Sequence, residues 1–394
     1  MKILGIILLA FLTWVLWLVV SQYLFCARFQ FDDPVPFEGL SIFNPYDSVD
    51  AAQWVKCNFH AHSRAWEGFT NGHGSAEDIH EAYKALNYGV HCVSNYHYID
   101  TTHSSDPGYI PAYEHGYNIT KTHQLVLGSD KVLWLDYLFP QSVHNKQHVL
   151  KHLSESAELV ILNHPALKNA YTKEDLSQLN GYDCMEVLSP SVVSIEQWDA
   201  ALSAGKKVFI VGNDDTHNVL TKNRLGRMCT FINVAANSSK EVLTALKTGR
   251  SYGVVIGAGQ LVDSLPFLKS VKVMGDTVFI KMSNAANHVT LTGQNGKVLA
   301  SLDHTDQISY RLSPSDHYSR ATFEYENGTK VYLNPVFYIP KTGYRTPVSF
   351  ENVGETIFFR AVGVGVLSLW VLLLLSQFPG IRRQRFGRKR LSLR

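Results

Sequence analysis

Apolar residues along this chain fall into three patterns. Two uncharged runs, Ile3 to Phe25 and Ala361 to Phe378, lie towards its two ends. About 17–25 such residues span a bilayer, so transmembrane helices are expected over 1–26 and 356–380. The first run exceeds the roughly 7–15-residue apolar core of a signal peptide, and no small-x-small cleavage site follows it. It therefore reads as an uncleaved anchor. From Lys56 onward short apolar runs alternate with helical stretches. Strands are expected at Val55–Phe59, His91–Ser94, Leu125–Leu127, Leu159–Leu162, Cys184–Leu188 and Val208–Val211. Helices are expected at Ser75–Leu86, His148–Ser156, Lys173–Gln178, Glu196–Ala204 and Lys240–Gly249. The first of these has Ser75 as N-cap with Asp78 three residues on, close to a capping box. Such alternation predicts an α/β domain with a parallel sheet over 55–258. Residues 259–340 run as short alternating strands with turns at Gly275-Asp276 and Asn295-Gly296, which predicts a small all-β module. Residues 27–54 and 341–355 read as linkers.

Composition adds an orientation. The chain is 45% hydrophobic and 18% charged, as a folded protein is, and a net charge of +2 gives no global pull toward nucleic acid. The distribution says more. Arg382, Arg383, Arg385, Arg388, Lys389, Arg390 and Arg394 form a basic tail directly after the second apolar run. Cationic flanks stay on the cytoplasmic side. Lys2 and the tail, 381–394, thus put both termini inside and residues 27–355 outside the membrane lipid bilayer. The cysteines (Cys26, Cys57, Cys92, Cys184 and Cys229) show no CxxC pairing, and no disulfide is assigned. Asn118, Asn237 and Asn327 open Asn-x-Ser/Thr triplets, which matter only in a eukaryotic secretory compartment.

Fourteen of the 17 histidines fall between His60 and His217. Imidazole and carboxylate are the ligands that Zn²⁺, Mn²⁺ and Fe²⁺ accept. In His60-Ala61-His62 the two imidazoles share one side of an extended segment. The other candidates follow the ends of expected strands: His97, His164 after Leu162, and Asp215 with His217 after Val211. Active sites of α/β barrels collect at the carboxyl ends of strands, so residues distant in sequence converge on one centre. His80, His144, His148 and His152 have helical context and read as exposed side chains.

With these motifs in this order, the chain resembles the PHP (polymerase and histidinol phosphatase) superfamily of metal-dependent phosphoesterases, over roughly Lys56 to Tyr252. His60-Ala61-His62 is similar to the family's opening His-x-His, and Asn71-Gly72-His73-Gly74 lies where a further ligand stands. Glu114 matches the bridging Glu, with Asp130 as a rival, and His123 matches a later His. Asn163-His164-Pro165 resembles the His-Pro motif, and Asp215-Thr216-His217 the closing Asp-x-His. One segment departs: the family's Thr-Asp-His is here Ser94-Asn95-Tyr96-His97.

The resemblance implies a distorted (β/α)7 barrel holding two or three divalent metal ions, Zn, Mn or Fe. His60, His62, Glu114 and Asp215 would hold one ion, and Glu114 would bridge to a second bound by His123 and His164. His73, His97 and His217 would complete a third position. Glu114 and Asp215 are the expected catalytic carboxylates, and Arg64, Lys121 and Arg224 the expected phosphate contacts. The implied activity is hydrolysis of a phosphomono- or diester in a phosphorylated small molecule, lipid or glycan by metal-activated water, outside the membrane. Two other functions remain open: hydrolysis of a carbamate or other non-phosphate ester, and a non-catalytic metal-binding sensor or scaffold.

Overall fold

The computed structural model describes residues 2–221, 224–258 and 264–377 of the chain. The basic tail at 381–394, on which the expected orientation partly rests, lies outside the described residues. The chain divides into two compact units: residues 1–30 with 350–394, and residues 31–349.

In the first unit the helices Lys2–Tyr23 and Val353–Gln377 contain stretches of 21 and 25 residues that are long and apolar enough to cross a membrane. At about 1.5 Å per residue, either covers a hydrocarbon core of about 30 Å. The Trp370 indole donates a hydrogen bond to the Thr13 hydroxyl at 3.0 Å, tying one helix to the other. Gly363 faces Phe25 so closely that an added Cβ would stand 2.5 Å from its ring. Small residues allow this approach between apolar helices.

The second unit is a mixed α/β structure. Its strands are β1 (Trp54–Asn58), β2 (Val90–His91), β3 (Ala112–His115), β4 (Gln124–Leu127), β5 (Leu159–Leu162), β6 (Cys184–Ser189), β7 (Phe209–Gly212), β8 (Met228–Asn233) and β9 (Ser251–Val255). They continue as β10 (Leu268–Met274), β11 (Thr277–Thr292), β12 (Val298–Arg311), β13 (Tyr318–Glu324), β14 (Lys330–Leu333) and β15 (Val336–Ile339). One sheet has the order β7-β6-β5-β4-β3, and every residue of these five strands is buried. Burial on both faces explains the apolar runs of β4, β5 and β7. The other sheet runs β10-β11-β13-β14-β9-β8-β1-β2. Isolated bridges link the two sheets: Tyr96 pairs with Glu114 at one side, and Ala61 with Thr216 at the other.

Two expectations are corrected. The sheet is not wholly parallel: β5–β6, β6–β7 and β1–β2 are parallel, but β3–β4 and β4–β5 are antiparallel. The loop between His115 and Gln124 is too short for the crossover a parallel pair needs. His80 is buried, not exposed, and packs against the rings of His91 and His103, while His144, His148 and His152 are half-buried. Strands β8 and β9 escape the periodicity because Asn233 and Gly253 are residues that strands disfavour. They sit mid-sheet, where β9 pairs with β14, so hydrogen bonding runs unbroken from β1 into the residues 268–333.

Helix Ala76–Ala85 forms with the Ser75/Asp78 capping box complete. Helix Ser239–Thr248 ends at Gly249, whose φ of +77° suits glycine, and an added Cβ there would meet the Phe209 ring at 2.4 Å. Helix Ile195–Ser203 is clamped to β13 by a bidentate pair. The Arg320 guanidinium donates to both Asp199 carboxylate oxygens at 2.7 Å, and both residues are buried. Removing one partner of a buried pair leaves an uncompensated charge. Arg320→Ala is therefore expected to lower unfolding stability by about 3–5 kcal/mol, read as a shifted denaturant midpoint, while Arg311→Ala at an exposed pair shifts it little.

Candidate metal centre

The backbone brings the ligand segments together before any side chain is considered. The His62 amide donates to the Thr216 carbonyl at 2.8 Å, and the His73 amide to the His217 carbonyl at 2.8 Å, so the His-x-His and Asp-x-His segments lie side by side. Glu114 stands on the buried strand β3, next to the Tyr96 segment. His164 and Asp215 hold positive φ angles of 29° and 44° immediately beyond β5 and β7. Non-glycine residues adopt such angles at a cost, and they do so preferentially at functional sites. Asp214 anchors the loop carrying Asp215 by accepting hydrogen bonds from the Gly226, Arg227 and Met228 amides and the Tyr83 hydroxyl. Burial pushes its carboxyl up to about 6 despite those donors.

Three overlapping donor groups result: His60, His62 and Glu114; Glu114, His123 and His164; and His62, Asp215 and His217. In the first, the Nε2 atoms of His60 and His62 are 3.1 Å apart and lie 3.3 and 3.1 Å from Glu114 Oε2. Asp215 Oδ1 is 3.4 and 3.5 Å from the same two nitrogens. Ligands bonded at about 2.0–2.1 Å to one tetrahedral or octahedral cation stand about 2.9–3.4 Å apart. Neither Glu114 Oε2 nor Asp215 Oδ1 has a hydrogen-bond partner, although both are buried. Leaving buried carboxylate oxygens unmatched is costly, and a cation at their centre removes the cost. The donor set fits a divalent metal ion.

The other oxygen of Glu114 faces a second group: Oε1 is 2.8 Å from His123 Nδ1 and 3.5 Å from His164 Nε2, and it accepts from Asn163 Nδ2 at 3.0 Å. One carboxylate thus touches four imidazoles. Asp215 Oδ1 is also 3.5 Å from His217 Nδ1.

The electrostatics follow from this crowding. Burial alone would deprotonate His60, but Glu186, Asp215 and Glu114 outweigh it and raise its pKa well above the ordinary imidazole value. His62 and His164 are raised in the same way, burial opposing and the carboxylates prevailing. Burial also opposes ionisation of Glu114 and Asp215, yet the surrounding imidazoles hold both below the usual carboxylate range. His217 is pulled down to about 4, by burial first and then by His62.

His73 and His97 stand outside these groups. His73 is exposed. Both ring nitrogens of His97 are engaged, Nδ1 with the Leu133 carbonyl at 3.2 Å and Nε2 with the Gly116 amide at 3.0 Å, and its ring stacks on Trp134. The preceding Tyr96 points inward instead: its ring stacks on His62, and its hydroxyl is 3.4 Å from His217 Nε2. Asn95 accepts from the Ser63 amide and donates to its hydroxyl, bracing the loop beyond His62. Asp130 is exposed. Lys121 and Arg224 line the 500 Å³ cavity above the donors, together with Tyr96 and Asp215. Arg224 donates to Ser191 Oγ at 2.8 Å and comes within 3.9 Å of Asp215 Oδ2. Arg64 is exposed and lies against the Gly68 turn. A cavity of 430 Å³ at His80, His91 and His103 lies away from all three donor groups.

Sequence reading missed Glu186. Its fully buried carboxylate accepts from His60 Nδ1 at 2.9 Å, Asn213 Nδ2 at 3.0 Å and the His164 amide at 3.1 Å. That contact fixes His60 with Nε2 toward the donor cluster, as carboxylates orient metal-binding histidines. The available signal was a lone acid inside the apolar run Cys184-Met185-Glu186-Val187-Leu188.

No protein family matches the chain, and no curated protein matches it. Among solved structures, a two-domain protein from Bacteroides vulgatus containing a predicted PHP-like metal-dependent phosphoesterase is 14% identical, with a TM-score of 0.40. The match covers 80% of this chain and 99% of that one.

Two outcomes are expected. Glu186→Gln turns an amide N–H₂ toward one of three donors, so Zn²⁺ affinity should fall by about 10–100-fold, measured by chelator competition, with the circular dichroism spectrum unchanged. The second concerns protons. His60, His62 and His164 have folded-state values raised above the ordinary imidazole value of about 6.5. Their protons stabilise the metal-free protein fully below that value, and the contribution is lost as pH rises through the raised values. Metal ions must displace those protons. Calorimetry in buffers of different ionisation enthalpy should show proton release, with tighter binding at about pH 8 than at about pH 6.

Proposed function

We propose that the chain is a membrane-anchored, metal-dependent phosphoesterase of the PHP type. The observation that carries this is the sharing of Glu114. Its Oε2 faces His60 and His62 while its Oε1 faces His123 and His164, the arrangement of a carboxylate bridging two cations. Asp215 completes the first group. The third donor group shares His62 and Asp215 with the first and adds only His217, so two ions per chain are favoured over three. The bridges at Tyr96–Glu114 and Ala61–Thr216 support reading β1 to β7 as a distorted (β/α)7 barrel.

Divalent cations at such a centre lower the pKa of water toward neutrality and neutralise charge on a phosphoryl group. The chain's own residues supply the rest. Glu186 holds His60 and is itself held by Asn213, Asn163 holds Glu114, and Asp214 holds the loop of Asp215. Lys121 and Arg224 line the cavity and give it positive charge where an anionic substrate must enter. Two cations beside a metal centre favour a phosphoester over a neutral carbamate or carboxyl ester. The two apolar helices, long enough to cross a membrane, support a membrane-held hydrolase, and the basic tail favours its outer face. Candidate substrates are phosphorylated small molecules, lipids or glycans.

The full-length protein in detergent should bind about two Zn²⁺ or Mn²⁺ ions per chain and hydrolyse p-nitrophenyl phosphate or its bis-ester. Chelation or Asp215→Ala should leave only background hydrolysis, and Arg224→Met should lower kcat/KM by about 10²-fold. A protein that binds no metal ion, or that retains its activity as Asp215→Ala, would overturn the proposal.

A further inference from the structure

The strands that carry the metal ligands at their carboxyl ends hold a second charged pocket at their amino ends. Asn180, Tyr182 and Asp183 lie just before β6, and Lys206 and Lys207 just before β7. With Lys247, Tyr344, Thr346 and Pro347 they line a cavity of 290 Å³. Three lysines meet one carboxylate there. The lysine ion pairs of the described residues belong to Lys146, Lys173, Lys281 and Lys330, so none of these three has a carboxylate within ion-pair distance. Lys206 Nζ donates only to the Gln178 carbonyl at 3.2 Å, and Lys207 Nζ lies over the Phe43 and Tyr344 rings. Asp183 is itself engaged, accepting from the Val160 amide at 3.0 Å. Lys206 is 6% exposed, and burial pulls its ammonium down to about 8, with Asp32 opposing the shift. Two buried donors, Asn180 Nδ2 and Tyr182 Oη, belong to lining residues and have no hydrogen-bond partner. Unmatched buried donors are rare in folded proteins. Together with ammonium groups that have no carboxylate partner they make a lining suited to an oxyanion.

We infer that this pocket binds a phosphate group, either free inorganic phosphate or the headgroup of an anionic phospholipid. Ammonium groups hold phosphate as point charges, and the phenol and carboxamide supply neutral donors. The headgroup source has support in the chain itself. Thr346 and Pro347 come a few residues before the apolar helix that starts at Val353. The opposite linker also packs here, with Val35 O against Gly205 so tightly that an added Cβ would meet it at 1.9 Å. Lysines near a membrane surface are drawn to anionic lipids. The site is separate from the metal cluster and does not depend on hydrolase activity.

The test uses the full-length protein in neutral detergent with chelator present throughout, so that no metal ion can hold phosphate in the cleft. Inorganic phosphate, dihexanoyl phosphatidylglycerol and dihexanoyl phosphatidylcholine are titrated separately by calorimetry. Phosphate or phosphatidylglycerol should bind, and Lys247→Glu and Lys207→Glu should each weaken binding by about tenfold or more. Lys247 is exposed, so its variant keeps the fold. Arg224→Met, which removes a cation from the metal cleft, should leave this binding unchanged. Tighter phosphatidylglycerol binding assigns the site to a headgroup, and tighter phosphate binding to the free ion. The inference fails if neither anion binds, if phosphatidylcholine binds equally, or if Arg224→Met removes binding while Lys247→Glu does not.

Discussion

The architecture of the second unit turns on one buried carboxylate. Glu114 is fully buried, and the imidazoles around it hold it ionised. Taking a lone carboxylate out of water costs several kcal/mol even after relaxation, at roughly the scale of a whole domain's net stability. Four imidazoles and the Asn163 carboxamide offset that cost, and they come from three separate segments, His60–His62, His123 and Asn163–His164. A charge needing partners from His60 to His164 constrains where β1, β3, β4 and β5 can lie. The same requirement explains the unusual backbone at His164, because a relaxed φ there would swing the imidazole away from Glu114.

Partners of the partners extend this constraint outward. Glu186 ties β6 to β1 through His60 and to the end of β5 through the His164 amide. Asn213, at the end of β7, joins the same group and also accepts from the Phe59 amide at 2.8 Å. Asp214 then binds three consecutive amides leading into β8. The polar network therefore closes at the carboxyl ends of the strands, while the apolar contacts of Leu125, Ile161, Cys184, Phe209 and Val211 fill the layer beneath it. Polar networks of this kind stabilise only when fully satisfied. Here the two unsatisfied carboxylate oxygens, Glu114 Oε2 and Asp215 Oδ1, both face a common centre.

Much of this was legible in the sequence because ligands had to follow strands. The positions of His60, His62, His164 and Asp215 could be read from apolar runs that end abruptly in a histidine or an acid. Glu114 and His123 were legible through family resemblance rather than periodicity. What could not be read was orientation. In Tyr96-His97 both residues look competent, and only the left-handed φ of 46° at His97 turns its imidazole outward to Leu133 and Gly116. Arg64 fails for a similar reason, since its charge follows a local turn that spacing does not reveal. The antiparallel steps at β3–β4 and β4–β5 were hidden because fully buried strands have the same apolar run in either direction.

Polarity along the strands now organises the whole unit. At the carboxyl ends the charges are carboxylates screened by imidazoles, with Lys121 and Arg224 at the rim. At the amino ends Lys206, Lys207 and Lys247 outnumber Asp183. Chain connectivity fixes what lies beside the second group: residues 31–38 and 344–349 pack there, through the Asp32–Val348 hydrogen bond and the Tyr344 contacts with Gly205 and Lys207. The chain thus enters and leaves this unit at the end away from the metal donors. The linker contacts and the metal-donor cluster occupy opposite ends of the same strands, and a change in one can leave the other's geometry intact.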